Sequence, residues 1–99
     1  MDESCIFCKI VNREIPAYVV YEDDDLIAFL EHNPAAEGHT LISSKRHYVN
    51  IYDTPDETLH KMMLLSKRIM NSYKRSLGAD SGHLVINNGE NGGQLVPHI

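Results

Sequence analysis

The stretch from Thr54 to Leu77 limits most strongly what this chain can fold into. Leu59, Met62, Met63, Ile69, Met70, Tyr73 and Leu77 follow one another at helical spacing and define one apolar face. Thr54 stands as a cap, Pro55 at the first helical position and Glu57 three residues after the cap. Hydroxyl and carboxylate can then each satisfy an orphan amide. Lys74 and Arg75 suit the negative pole of the helix dipole, and Gly78 marks the stop. Leu64 and Leu65 lie off the Leu59–Leu77 face and leave extra apolar surface on the helix. Such a helix needs a partner layer, and the rest of the chain offers short strand-like segments.

Tyr18–Tyr21 and Leu26–Leu30 read as strands joined by the polar turn Glu22-Asp23-Asp24-Asp25, a hairpin. A loop bracketed by Asn33-Pro34 and Gly38 leads to a third strand, His39–Ser43. Leu84–Ile86 reads as a fourth, and Gln94–Ile99 opens a fifth. At the front, Ser4 can cap a short helix from Cys5 to Val11, with Pro16 marking its exit. The expected fold is α+β: a mainly antiparallel sheet of about five strands, one long helix and a short N-terminal helix. A length of 99 residues suits a single domain over residues 1–99, and no repeat or low-complexity segment interrupts it. The core at this length is modest, so a bound metal or a subunit interface matters more than in a larger domain.

Nine Lys and Arg stand against 14 Asp and Glu, a formal net charge of -5. That balance argues against a nucleic acid polymer, whose binding rests on Lys and Arg neutralising phosphates. A mononucleotide stays open, because backbone amides and a few side chains can meet its charge. No apolar run is long enough to cross a bilayer, and the acidic Met1-Asp2-Glu3-Ser4 is not a signal peptide. A cytoplasmic chain with no membrane partner is expected.

Three segments could carry chemistry. Cys5-Ile6-Phe7-Cys8 places two thiols at C-x-x-C spacing, which suits one Zn²⁺ if two further ligands are found. Six histidines are available, and spacing alone selects none of them. A redox pair and two small buried hydrophobes are the other readings of the motif. Asn87 to Gln94 carries Gly89, Gly92 and Gly93, where backbone amides could approach an anion; a plain Asn- and Gly-rich hairpin loop is the simpler alternative. Val96-Pro97-His98-Ile99 places a lone His near a strand end.

In order and spacing these segments are similar to the histidine triad (HIT) family, its Hint-like branch in particular. The similarity runs from Cys5 to Ile99. Cys5-Ile6-Phe7-Cys8-Lys9-Ile10, Glu14-Ile15-Pro16 and Tyr21-Glu22-Asp23 resemble the family's N-terminal signature. Leu26-Ile27-Ala28-Phe29-Leu30 resembles its second strand, and Gly38-His39-Thr40-Leu41-Ile42 with Lys45-Arg46-His47 its next block. Asn87 through His98 resembles the approach to the His-x-His-x-His motif. His98 matches the first His and Ile99 the residue after it; the nucleophilic middle His would come next, beyond the residues given. The resemblance therefore implies one HIT-like domain that is C-terminally incomplete. Two departures stand out: Ser43-Ser44, where relatives tend to have an apolar residue and Pro, and Leu95, where many place a phosphate-touching Ser.

The resemblance implies zinc at Cys5, Cys8, His47 and His98. It implies a purine nucleotide pocket, with Phe7, Ile10 and Phe29 lining the base, Glu31 gripping the ribose, His32 at the ribose rim, and Asn87 and Gly93 at the α-phosphate. His39 becomes structural; His60 and His83 have no role beyond solvated or core placement. The activity implied is hydrolysis or transfer on nucleoside monophosphate esters or phosphoramidates through a nucleotidyl-His intermediate. The residues given, lacking the nucleophile, are expected to be inactive by themselves, and the complete protein is expected to be a homodimer. The competing reading is a zinc-stabilised nucleotide-binding or interaction module without catalysis.

Overall fold

Leu26, Ile27, Ala28 and Phe29 are each no more than 3% exposed, so this short apolar run is buried on both sides. In the structure, a computed structural model describing residues 5–30, 38–92, 94, 96, 98 and 99, that run is the middle of a sheet. β1 (Val19–Glu22), β2 (Leu26–Leu30) and β3 (Thr40–Ser44) lie in the order β1-β2-β3, antiparallel throughout. Asp23 closes the β1–β2 turn: its Oδ1 accepts the amides of Asp25 (2.8 Å) and Leu26 (2.7 Å). An irregularity between Val19 and Tyr21 lets Tyr21 face Ala28 while Val19 faces Phe29. From β2 to β3 the register is even, Leu26 opposite Ser44 and Leu30 opposite Thr40.

Alternation along β2 then divides the molecule. Leu26 and Ala28 meet Leu65, with Tyr21, Ile42, Met62 and Ile69 packed around them. Phe29 points the other way and meets Phe7 of α1 (Ile6–Val11) edge to face, centroids 5.7 Å apart. The long helix α2 (Asp56–Ser76) covers one face of the sheet, and α1 lies against the other.

α2 differs from the sequence reading in two ways. Its N-cap is Pro55, with no side-chain cap bond. Thr54 instead closes a preceding 3₁₀ turn, Ile51–Asp53, where its hydroxyl donates to the Asn50 carbonyl (2.6 Å). That turn has a capping box of its own, from Asn50 and Asp53, and α2 starts at Asp56, which leaves Thr54 one residue ahead of the N-cap position. The buried line is also rotated. Leu65 is 5% exposed while Met63 and Leu64 are 56% and 62% exposed, and Met70 is exposed as well. Met62, Leu65 and Ile69 touch the sheet. At the far end, Leu77 is the C-cap and Gly78 takes a left-handed φ of +68°, as the stop requires. No helix among the described residues is long and apolar enough to cross a membrane.

The sheet has three strands among the described residues, not about five. Leu84, Val85 and Ile86 are 47%, 69% and 51% exposed and pair with no strand among the described residues. The end of β3 is met by Ile99 instead: the Ser44 amide donates to the Ile99 carbonyl (3.0 Å) and the Ile99 amide to the Tyr48 carbonyl (2.8 Å). Gln94, Val96, His98 and Ile99, the described residues of the expected fifth strand, form no strand either, and the His98 amide donates to the Val96 carbonyl (2.7 Å). The first and third strands each begin one residue later than the sequence suggests. Ser4, Asn33 and Pro34 lie outside the described residues, and Cys5 supplies the cap of α1.

Candidate metal centre

α1 forms one face of the site. As its N-cap, Cys5 accepts the Cys8 amide at Sγ (3.4 Å), and the single helical turn between them places both thiols on one side. His47 arrives just after β3, and the His98 ring lies against the His47 ring, centroids 4.8 Å apart. Cys5, Cys8 and His98 are 2%, 1% and 3% exposed, and His47 is half-buried.

The four donor atoms lie within 4.8 Å of one another. Cys8 Sγ is 3.1 Å from His47 Nδ1 and 3.3 Å from His98 Nδ1; Cys5 Sγ is 3.2 Å from His98 Nδ1; the two Nδ1 atoms are 3.1 Å apart. A tetrahedron with Zn–S of about 2.3 Å and Zn–N of about 2.0 Å has edges of about 3.3–3.8 Å. These four edges are a few tenths of an ångström shorter, and the other two lie within 4.8 Å, close enough for one small cation to fit. His98 strengthens the case. Its Nε2 lies 2.7 Å from the Ser44 carbonyl, which can only accept, so that nitrogen carries the hydrogen and Nδ1 presents its lone pair inward. Burial, opposed by the Ser44 bond and reinforced by His47 nearby, holds the His98 pKa below its ordinary value and favours the neutral, ligating imidazole. Cys5, Cys8, His47 and His98 thus form a set that could hold a metal ion.

The sequence profile of the HIT domain matches residues 12–99. The chain belongs to the HIT domain family. An uncharacterized HIT-like protein of Methanocaldococcus jannaschii is 46% identical over 95 residues, covering 96% of this chain and 73% of its own length. An adenosine 5'-monophosphoramidase of Saccharomyces cerevisiae is 39% identical over 99 residues, 100% of this chain and 60% of its own. An adenylylsulfatase of Arabidopsis thaliana is 37% identical over 98 residues, 99% of this chain and 50% of its own. The HIT chain therefore spans 50% to 73% of these relatives' lengths. Among solved structures, a Zn-bound histidine triad family protein of Mycobacterium smegmatis superposes with a TM-score of 0.93 at 38% identity, covering 96% of this chain and 69% of that one. A HIT family protein of Bacillus anthracis also gives 0.93, at 35% identity, covering 99% of this chain and 70% of that one.

Of the residues expected to line a nucleotide pocket, the HIT fold brings Phe7 and Phe29 together and sets Phe7 against the His98 ring, centroids 5.8 Å apart. Ile10 is half-buried one turn along α1 from Phe7. Asn87 is exposed, next to Asn88, whose Oδ1 accepts the Ile51 amide (2.8 Å). Glu31, His32 and Gly93 lie outside the described residues. His39 is half-buried, while His60 and His83 are exposed. Sequence reasoning missed Gln94, whose carboxamide accepts the Gly89 amide (2.8 Å) and donates to the Val49 carbonyl and the Val96 carbonyl (3.1 Å). It also missed the use of Ser44. Both are ordinary polar residues in sequence, and only their burial against loop carbonyls marks them.

Proposed function

We propose that this HIT chain is the nucleotide-binding portion of a purine nucleotide hydrolase acting on nucleoside monophosphate esters or phosphoramidates. One observation carries the reading: Phe7 touches both Phe29 and His98, so the expected base-lining aromatics and the first His of the triad share one place. Two relatives named as an adenosine monophosphoramidase and an adenylylsulfatase support the substrate class. In this reading Phe7, Ile10 and Phe29 hold the base, Glu31 and His32 meet the ribose, and Asn87 and Gly93 face the α-phosphate. The middle His of the motif attacks the α-phosphorus, the P–O or P–N bond to the leaving group breaks, and that group departs with a proton. Water then releases the nucleotide from the histidine. The residues given supply binding and orientation and not that nucleophile.

The ion in this proposal is Zn²⁺, held by Cys5, Cys8, His47 and His98; two thiolates with two imidazoles are a donor set that suits it. When bound it supplies four strong bonds that tie α1, the segment after β3 and the triad segment together. The complete protein pairs as a homodimer through the long helix and the sheet edge, with Met63 and Leu64, more than half exposed, on the outward face of α2. The setting is cytoplasmic, where thiols stay reduced.

The test is an adenosine phosphoramidate assay on residues 1–99 and on a form extended through the complete motif. We expect turnover from the extended form alone. Equal turnover from both would overturn the mechanism. No turnover from a folded extended form would favour a binding module without catalysis. Sedimentation of the extended form at micromolar concentration should give a dimer, and a monomer would refute that element.

A further inference from the structure

We propose that Ser44 is a positioning residue for the metal centre, holding the His98 and His47 imidazoles in register through its carbonyl and its hydroxyl. This rests on the metal reading above.

Ser44 is 1% exposed, so none of its polar atoms has water to fall back on. Its carbonyl accepts from His98 Nε2 at 2.7 Å, which sets which nitrogen faces the thiols. Its hydroxyl lies 2.6 Å from the Arg46 carbonyl and 2.9 Å from the Ile99 carbonyl. A hydroxyl has one hydrogen to give, and the shorter contact is to Arg46. Arg46 immediately precedes His47, so that bond pins the turn delivering the second imidazole. The amide of Ser44 donates to the Ile99 carbonyl at 3.0 Å, fastening the residue after His98. One residue thus reaches both ligands that come from outside α1. A Pro in this place, as in the family pattern, would keep the carbonyl but have neither the amide hydrogen nor the hydroxyl. Groups that orient metal-bound imidazoles typically change affinity by about 10–100-fold when removed.

The experiment is a Co²⁺ titration of the 99-residue chain, read by its ligand-field absorption. Ser44→Ala is compared with the wild-type sequence, and chemical unfolding of both is followed in chelator. We expect Ser44→Ala to weaken Co²⁺ binding about tenfold and to alter the ligand-field band, with a smaller effect on metal-free unfolding. Ser44→Ala keeps the carbonyl and the amide, so unchanged affinity and spectrum would overturn the hydroxyl's part in the role. A second measurement needs no variant: long-range ¹⁵N–¹H spectra of the Zn²⁺-titrated wild-type chain should show His98 protonated at Nε2, its proton exchanging slowly. Protonation at Nδ1 instead would overturn the assignment. If the wild-type chain takes up neither Co²⁺ nor Zn²⁺, the metal reading fails and takes this inference with it. That outcome differs visibly from metal uptake with an indifferent Ser44→Ala.

Discussion

Asp53 makes two hydrogen bonds that a neutral side chain of the same shape cannot both make. Its carboxylate accepts the amides of Asn50 and Val49, each at 3.0 Å. The Asn50 bond first, then the Val49 bond, lower its pKa below the ordinary 3.8. A carboxyl whose pKa is depressed by folding stabilises the fold above its unfolded pKa, and that contribution is lost as pH falls through the folded value. Asp53→Asn should therefore be less stable than wild type at neutral pH, and the gap should close below about pH 3.8. Urea unfolding at several pH values, in chelator so that the metal ligands do not intrude, checks this; a gap that does not narrow as the pH falls below about 3.8 would contradict it. Gly38 is the other telling residue. Its φ is +82°, and a Cβ there would lie 3.1 Å from a Leu77 methyl and 3.3 Å from the Tyr73 ring. Gly38→Ala should cost about 1–2 kcal/mol from the backbone alone, read as a lower urea midpoint. At this scale spacing named Cys5 and Cys8, but only family likeness named His47 and His98, because six histidines compete and spacing ranks none of them. Ser44 was visible only as a departure, its purpose hidden in where its carbonyl points.

Among the elements, α2 tests how far periodicity can be trusted. The sequence shows its existence and its C-terminal stop, and Met62 and Ile69 face the sheet as expected, but Leu65 takes the place expected for Met63 and Met70. Apolar residues occupy 62, 63, 64 and 65 in a row, so more than one stripe fits the period. Contact with Leu26 and Ala28 selects Leu65. Leu65→Ala should destabilise by about 2–5 kcal/mol as a buried truncation, while Leu64→Ala should change stability by no more than about 0.5 kcal/mol. Chemical denaturation of both variants, compared at equal concentration below any dimerisation, distinguishes them; equal losses would mean the helix sits in another register. The hairpin was legible because each of its signals is local: Asp23 closes its own turn and β2 is one apolar run. The expected fourth and fifth strands needed a distant partner, and strand character in Leu84–Ile86 says nothing about whether an edge is free to receive it.

The whole molecule is tied together at the candidate metal centre, where residues 5 and 8 meet residues 47 and 98 across most of the chain. An ion present at a thousand times its Kd adds about 4 kcal/mol, and each kcal/mol is worth about 4–8 °C in a domain of this size. Chelation should lower the Tm of the zinc-bound protein by at least about 15 °C, measured by circular dichroism, and returning Zn²⁺ should restore it; an unmoved Tm would mean the ion contributes nothing to the fold. Sequence by itself determined what depends on neighbours along the chain. The hairpin, the C-x-x-C turn of α1, the long helix and the membership of the HIT family could all be read there, since each rests on order and spacing. Tertiary structure alone decided what depends on positions far apart. It chose Leu65 over Leu64, committed Thr54 to the 3₁₀ turn and left the sheet at three strands among the described residues. It also turned the Ser44 carbonyl onto His98. The reason is physical: periodicity reports which residues can face inward, but which buried donor meets which acceptor is settled only when the sheet, the helix and the chain end compete for the same space.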